Sequence, residues 1–202
     1  MDYLSQNTPQ QEATLQAVLH LAQMCEYEAD HSHHVARLAL RVYDELRVLH
    51  KLGQRERFWL QCASILHDIG WIEGWKSHHK ISMRIILSTP LLPLDSSERL
   101  IIGSAARYHR KGLPDMKHDN IAALTPEERH ITLVLAACLR FADGLDQTHQ
   151  SRVRDIACKM TAKKITFFCN LRIPAPEETL SAARKSDLLA LVFERKVIVE
   201  CQ

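Results

Sequence analysis

Thr125-Pro-Glu-Glu128 opens the segment that most restricts what this chain can fold into. A threonine cap, a proline whose missing N–H is no loss in a first turn, and two carboxylates facing the helix dipole together specify a helix start. Apolar residues then continue from Ile131 to Leu145. A helix this apolar belongs at the centre of a packed body, so the other elements must surround it.

The preceding residues supply those elements. A polar stretch of ten residues is expected to fray, and Ala13, Val18, Leu19, Ala22 and Met24 then suggest a first helix. A second starts near Asp30 or His31. Its apolar positions Val35, Leu38, Ala39, Val42, Leu46 and Leu49 advance by three or four, which buries one face. Gly53 separates it from a third helix, Arg55 to His67, and a loop with two tryptophans follows from Gly70 to Ser77. A fourth helix runs from Ser77 to Ser88 and is closed by Thr89-Pro90. Asp95 and Glu98 form a capping box for a fifth that reaches Tyr108. A long loop to Asn120 precedes the central sixth helix.

After Gln150 the texture changes. Val153 to Met160 and Ile165 to Ile173 are rich in β-branched and aromatic residues around Thr161-Ala-Lys-Lys164, the pattern of a hairpin. Glu177 to Phe193 is helical in pattern, and Lys196-Val-Ile-Val-Glu200 alternates as a last strand. The expected fold is mainly α, with a helical domain over residues 1–150 and a small α+β appendage over 151–202.

With 202 residues, 46% hydrophobic and 25% charged, the chain can build a full core. A formal charge of +2 argues against nucleic acid or a membrane surface as partner, and no apolar run is long enough to span a bilayer. The N-terminus has no secretory pattern, so a cytoplasmic protein is expected. Six scattered cysteines without a Cys-x-x-Cys pair read as reduced packing residues.

The chemistry gathers at Ala63-Ser-Ile-Leu-His-Asp-Ile-Gly70, where a buried helix ends in two potential metal ligands, His67 and Asp68. Burying an imidazole and a carboxylate costs desolvation energy that a divalent cation recovers. His31 upstream and Asp143 downstream supply partners, the latter where the helical period demands an apolar residue. Two imidazoles and two carboxylates suit manganese, iron, cobalt, nickel, zinc or magnesium better than calcium. An ion pair of Asp143 with Arg140, Arg107 or another cation is the alternative. Arg107, Arg110 and Lys111 around His109, and Lys76, Lys80 and Arg84 around His79, are either surface charge or the anion-binding side of a pocket. His34 stands in reserve for His31. His20, His50, His118, His130 and His149 have no constellation and read as solvated or capping residues.

The order His31, His67-Asp68, Asp143 resembles the metal-dependent HD superfamily of phosphohydrolases. A closer resemblance covers most of the chain. Ser77-His-His-Lys-Ile-Ser82, Ala106-Arg-Tyr-His-Arg-Lys-Gly-Leu-Pro114, Leu139-Arg-Phe-Ala-Asp-Gly-Leu-Asp-Gln-Thr-His149 and Ala183-Arg-Lys-Ser-Asp-Leu-Leu189 are similar to the C-terminal HD-type region of the exopolyphosphatase and guanosine pentaphosphate phosphohydrolase family. In that family the phosphatase chemistry resides in an N-terminal actin-like domain, which the resemblance does not include. The family's HD-type region often lacks some metal ligands, whereas this chain keeps the set His31, His67, Asp68 and Asp143. The resemblance therefore implies metal-dependent hydrolysis of a phosphoester or phosphoanhydride in a nucleotide, guanosine polyphosphate or polyphosphate. Asp68 and His109 would be the catalytic residues, Asp68 orienting or deprotonating water and His109 acting on the leaving side, and His79, Arg107, Arg110 and Lys111 would hold the substrate. It leaves open a non-enzymatic polyphosphate- or nucleotide-binding module, a two-iron oxygenase and a homo-oligomer. His79 and His109 match positions where two-metal members carry further histidines.

Overall fold

The computed structural model describes residues 7–201, so residues 1–6 of the stretch expected to fray lie outside the described residues. The rest of that stretch is ordered: α1 (Pro9–Met24) starts inside it, because Thr8 and Gln11 form a reciprocal capping box and proline occupies the first turn. The helical body continues with α2 (Ala29–Glu45), α3 (Arg47–His50), α4 (Gln54–Leu66), a 3-10 turn (Ile69–Glu73), α5 (His78–Ser88), α6 (Ser96–Arg107), α7 (Asp119–Ala122) and α8 (Pro126–Gly144). The capping box at Asp95 and the threonine cap at Thr125 form as the sequence predicts, and Glu128 completes a reciprocal box at the second. The mainly α fold class holds.

Two expected helices are divided, and two expected loops contain short helical turns. The second helix, expected to reach Leu49, leaves helical geometry at Leu46 and resumes for the single turn of α3, which Lys51 closes in the left-handed region at φ 58°. The tryptophan loop contains the 3-10 turn, and the long loop before Asn120 ends in α7. The expected helix from Glu177 to Phe193 is two helices, α9 (Pro176–Lys185) and α10 (Asp187–Phe193). They part at Ser186, whose hydroxyl donates to Ala183 O, while Asp187 accepts the Leu188 N–H and starts the second helix.

α8 is the axis of the molecule. From Ile131 to Gly144 nearly every residue is buried, and α2, α4, α6, α9 and α10 all pack against it. Three strands form one sheet in the order β1 (Val153–Met160), β2 (Lys164–Leu171), β3 (Lys196–Cys201). β1 and β2 are the expected antiparallel hairpin, and β3 returns parallel to β2 after α9 and α10. One hydrophobic core runs through helices and sheet, with Phe141 of α8 and Phe167 of β2 4.5 Å apart between ring centres. β1 is tied to α2 by Arg41 Nε donating to Ile156 O and by Glu45 accepting the Cys158 N–H, which occupies backbone groups of an edge strand. Arg140 makes a bidentate pair with Asp187 at 2.7 and 2.8 Å, clamping α10 to α8. All six cysteines are free thiols. No helix among the described residues is long and apolar enough to cross a membrane.

His50 is buried rather than solvated: its Nε2 donates to Tyr43 O at 2.8 Å and its Nδ1 accepts from Leu52 N at 3.0 Å. That arrangement needs the neutral ring, and burial accordingly lowers its pKa below 6.5. The unfolded chain then binds the proton more readily, so this contribution to stability is full above pH 6.5 and is lost as pH falls through the lower folded value. We expect His50→Gln to be less stable than wild type at pH 7.5 by about 1 kcal/mol. Its melting temperature should fall less steeply between pH 6.5 and 4.5, as read by calorimetry; parallel curves would show that His50 does not titrate on unfolding.

Candidate metal centre

Helix ends deliver the candidate ligands. His31 lies in the first turn of α2, His67 caps α4, Asp68 precedes the 3-10 turn, His78 begins α5, His109 follows α6 and Asp143 closes α8. Each helix buries its apolar length, so these ends converge with little freedom to move.

The side chains form two groups, His31 with His67 and Asp143, and Asp68 with His78 and His109. In the first, His31 Nε2 is 3.6 Å and His67 Nε2 is 3.9 Å from Asp143 Oδ1. In the second, Asp68 Oδ1 is 3.1 Å from His78 Nε2 and 3.4 Å from His109 Nε2. The other oxygen of Asp68 faces the first group, 3.5 Å from His67 Nε2. Most of these gaps are too long for hydrogen bonds. Two donors each about 2.1 Å from one ion stand roughly 3–3.4 Å apart, close to the separations found.

The far side of every ring is committed. His67 Nδ1 meets Ser64 O at 2.7 Å, His109 Nδ1 meets Ala106 O at 2.6 Å, His78 Nδ1 meets Trp75 O at 3.0 Å and His31 Nδ1 meets Asp146 Oδ2 at 2.9 Å. A carbonyl or carboxylate at Nδ1 places the ring proton there, and the Nε2 lone pair of each neutral ring points inward. His78 and His109 then face each other at 3.4 Å with two lone pairs. Arg110 donates to His78 Nε2 from 3.2 Å on one side. His31 Nε2, His67 Nε2 and Asp68 Oδ1 are buried without a hydrogen-bond partner. Orphaned acceptors are costly in a core, and a divalent cation in each group would relieve them; the residues present fit such ions. The mixed nitrogen and oxygen donors suit first-row transition metals.

Electrostatics agree with this reading. Burial works against the charge of both carboxylates. Lys185 with His31 holds Asp143 well below the usual carboxylate range, and Asp68 is lowered by positive charge at His67, His78 and His109, charge that neutral rings do not carry and a cation would supply. Burial pushes the pKa of His67 down and that of His109 to about 3, so these rings are neutral. His31 is the exception: against burial, Asp143 and Asp146 raise it to about 10. Those two carboxylates favour positive charge at His31 Nε2, an atom with no hydrogen-bond partner of its own.

The two groups open on a cavity of about 390 Å³. Arg110 and Lys111 line it as the sequence suggests, with Asp68, His109 and Asp143 at its base. Arg107 is not among its lining residues: its guanidinium donates to Asn120 Oδ1 and lies over the Tyr108 ring. His78, not His79, meets His109. His79 is buried with Nδ1 unpartnered, and burial lowers its pKa to about 4. The cation that pairs with Asp143 is Lys185, as the ion-pair alternative allows, while Arg140 is taken by Asp187 and Arg107 by Asn120. His34 is buried one turn past His31, beside Arg37, and joins neither group.

Sequence reasoning missed four residues. His78 was overlooked because its neighbour His79 fitted the motif equally well. Asp146, fully buried, orients His31 and accepts the Ser151 N–H; an aspartate three residues beyond Asp143 was a signal available in the sequence. His149 stacks on His31 at 3.7 Å and lines the cavity, which no local pattern reveals. Lys185 comes from the distant α9. Three residues at the rim, Ser77, Lys111 and His149, hold positive φ angles of 64°, 66° and 56°, strain that the surrounding packing must sustain.

Gly70 permits the second group. A Cβ there would lie 2.2 Å from His78 O and 2.7 Å from Ser82 N, so only glycine lets the chain after Asp68 pass against the start of α5. Gly70→Ala is expected to destabilise the fold by about 1–3 kcal/mol and to reduce bound metal by separating Asp68 from His78. Elemental analysis and thermal melting measure both; full metal content would show that the loop adapts. Asp146→Ala should weaken metal binding by about 10- to 100-fold through the released His31 ring, as read by competition with a chelating dye.

A family model described as Ppx/GppA phosphatase, domain III, matches residues 14–190. No curated protein matches the chain. The matched span contains all six residues of the two groups, together with Asp146 and Lys185, and it covers most of the helical body and the sheet. This chain belongs to the Ppx/GppA phosphatase domain III family.

Proposed function

We propose that this protein is a divalent-metal-dependent phosphohydrolase acting on a phosphoester or phosphoanhydride, working in the manner of the HD superfamily that its ligand order resembles. The observation that carries the reading is the convergence of four imidazole Nε2 atoms on the buried Asp143 and the half-buried Asp68, with Asp68 giving one oxygen to each group. A pair of divalent ions would supply Lewis acidity to a phosphoryl oxygen and a water acidic enough to ionise near neutral pH. Manganese, iron, cobalt, nickel and zinc fit the donor set.

The chain's own residues have distinct tasks in this reading. Asp68 stays ionised and bridges the groups. His109 is a ligand, since its Nδ1 is committed to Ala106 O and its Nε2 faces Asp68. Arg110 and Lys111 form the cationic wall that holds a phosphorylated substrate, and Arg107 supports that wall through Asn120. Residues 1–150 bear the ligands, and 151–202 form an appendage that closes one side of the pocket.

The test is phosphate release from nucleotides, guanosine polyphosphates, phosphodiesters and polyphosphate by protein purified without chelator. Activity is expected to vanish with chelator and return with manganese, cobalt or nickel. A metal-loaded protein inert towards all of them would make this a binding module instead. Alanine at His31, His67, Asp68 or Asp143 should each reduce bound metal, and Asp68→Ala should remove more than Asp143→Ala because it serves both groups. Unchanged metal content after Asp143→Ala would reduce that residue to a salt-bridge partner of Lys185.

A further inference from the structure

Lys185 reaches the pocket from the last third of the chain. α9 crosses the end of α8 in close contact: a Cβ on Gly144 would lie 2.9 Å from Ala182 Cα and 3.2 Å from Lys185 Cδ. That approach sets the Lys185 ammonium on Asp143 Oδ2, on the side of the carboxylate away from His31 and His67. An ammonium carries three donors. One is spent on Asp143, and Lys185 has no other hydrogen-bond partner among the described residues.

A structural ion pair with Asp143 would not need to open on the cavity, yet Lys185 lines it together with Arg110 and Lys111. A cation placed beside sites for divalent ions is repelled by them once they bind. An anion lying across the ions and the ammonium removes that penalty. We propose that Lys185 is a substrate-binding residue, which holds a phosphoryl oxygen from the appendage side while Arg110 and Lys111 hold the other side. The proposal rests on the metal-dependent reading above and adds to it that the α+β segment supplies part of the substrate site.

The experiment is calorimetric titration of the full, manganese-loaded chain with inorganic phosphate, with manganese measured in the same samples. Lys185→Gln is expected to keep its manganese and to bind phosphate at least about 10-fold more weakly, close to 1.4 kcal/mol. Lys185→Arg, which keeps the charge, should stay within about threefold of wild type. If the Gln variant does not fold, Lys185→Met keeps the apolar stem against Gly144 and answers the same question. Unchanged phosphate affinity with unchanged manganese would overturn the inference and leave the metal reading standing. Loss of manganese would also overturn it, since Lys185 would then act only by positioning Asp143. Wild-type protein that takes up manganese but no phosphate overturns it too, and wild-type protein that takes up no manganese overturns the metal reading itself.

Discussion

Two ionised carboxylates, Asp68 and Asp143, stand among imidazoles in the interior of a helical body, and their desolvation governs how the surrounding structure is arranged. An unpaired buried carboxylate costs several kcal/mol. The chain does not answer with hydrogen-bond donors on every oxygen: it surrounds the carboxylates with neutral rings whose protons face outward, leaving Asp68 Oδ1 with no hydrogen-bond partner. Lys185 on Asp143 offsets part of that negative charge. An arrangement short of donors but rich in lone pairs is poor as a structural salt-bridge network and good as a cation site.

That arrangement holds only because the helices meet at their ends. His67 leaves α4 where the helix stops, and Gly70 then lets the chain run against α5 so that His78 can approach Asp68. Gly144 does the same for α8 and α9, and brings Lys185 beside Asp143. Two glycines without side chains thus set the approach of the Asp68 turn to His78 and of α8 to Lys185. The Arg140–Asp187 clamp and the Phe141–Phe167 contact keep the appendage from drifting away from α8, so the sheet supports the site from outside while contributing none of the six ligands.

Much of the fold was readable because its signals are local. The capping box at Asp95, the threonine cap at Thr125, apolar spacing on α2 and α8, and the β-rich texture after Gln150 each lie within one element. The breaks at Leu46 and Ser186 were not readable, since the apolar pattern continues through both while the backbone changes direction. His31, His67, Asp68 and Asp143 were legible as a set because each is a polar residue at the end of an apolar helix. His78 was hidden beside His79, for adjacent residues on a helix differ by about 100° in direction and only packing shows which faces inward.

By itself, the sequence determined the helical body, the hairpin with its returning strand, the candidate ligands at helix ends and a cationic run after His109, all consequences of short-range periodicity and capping. Tertiary structure decided how these residues divide into two groups, that Asp68 is shared between them, that Asp146 orients His31, and that Lys185 rather than Arg107 reaches the pocket. Those outcomes depend on where separate helices cross, and crossing is set by close approaches such as Gly70 to His78 and Gly144 to Ala182. A glycine in a sequence does not name the backbone it will touch; only the packed structure supplies that partner.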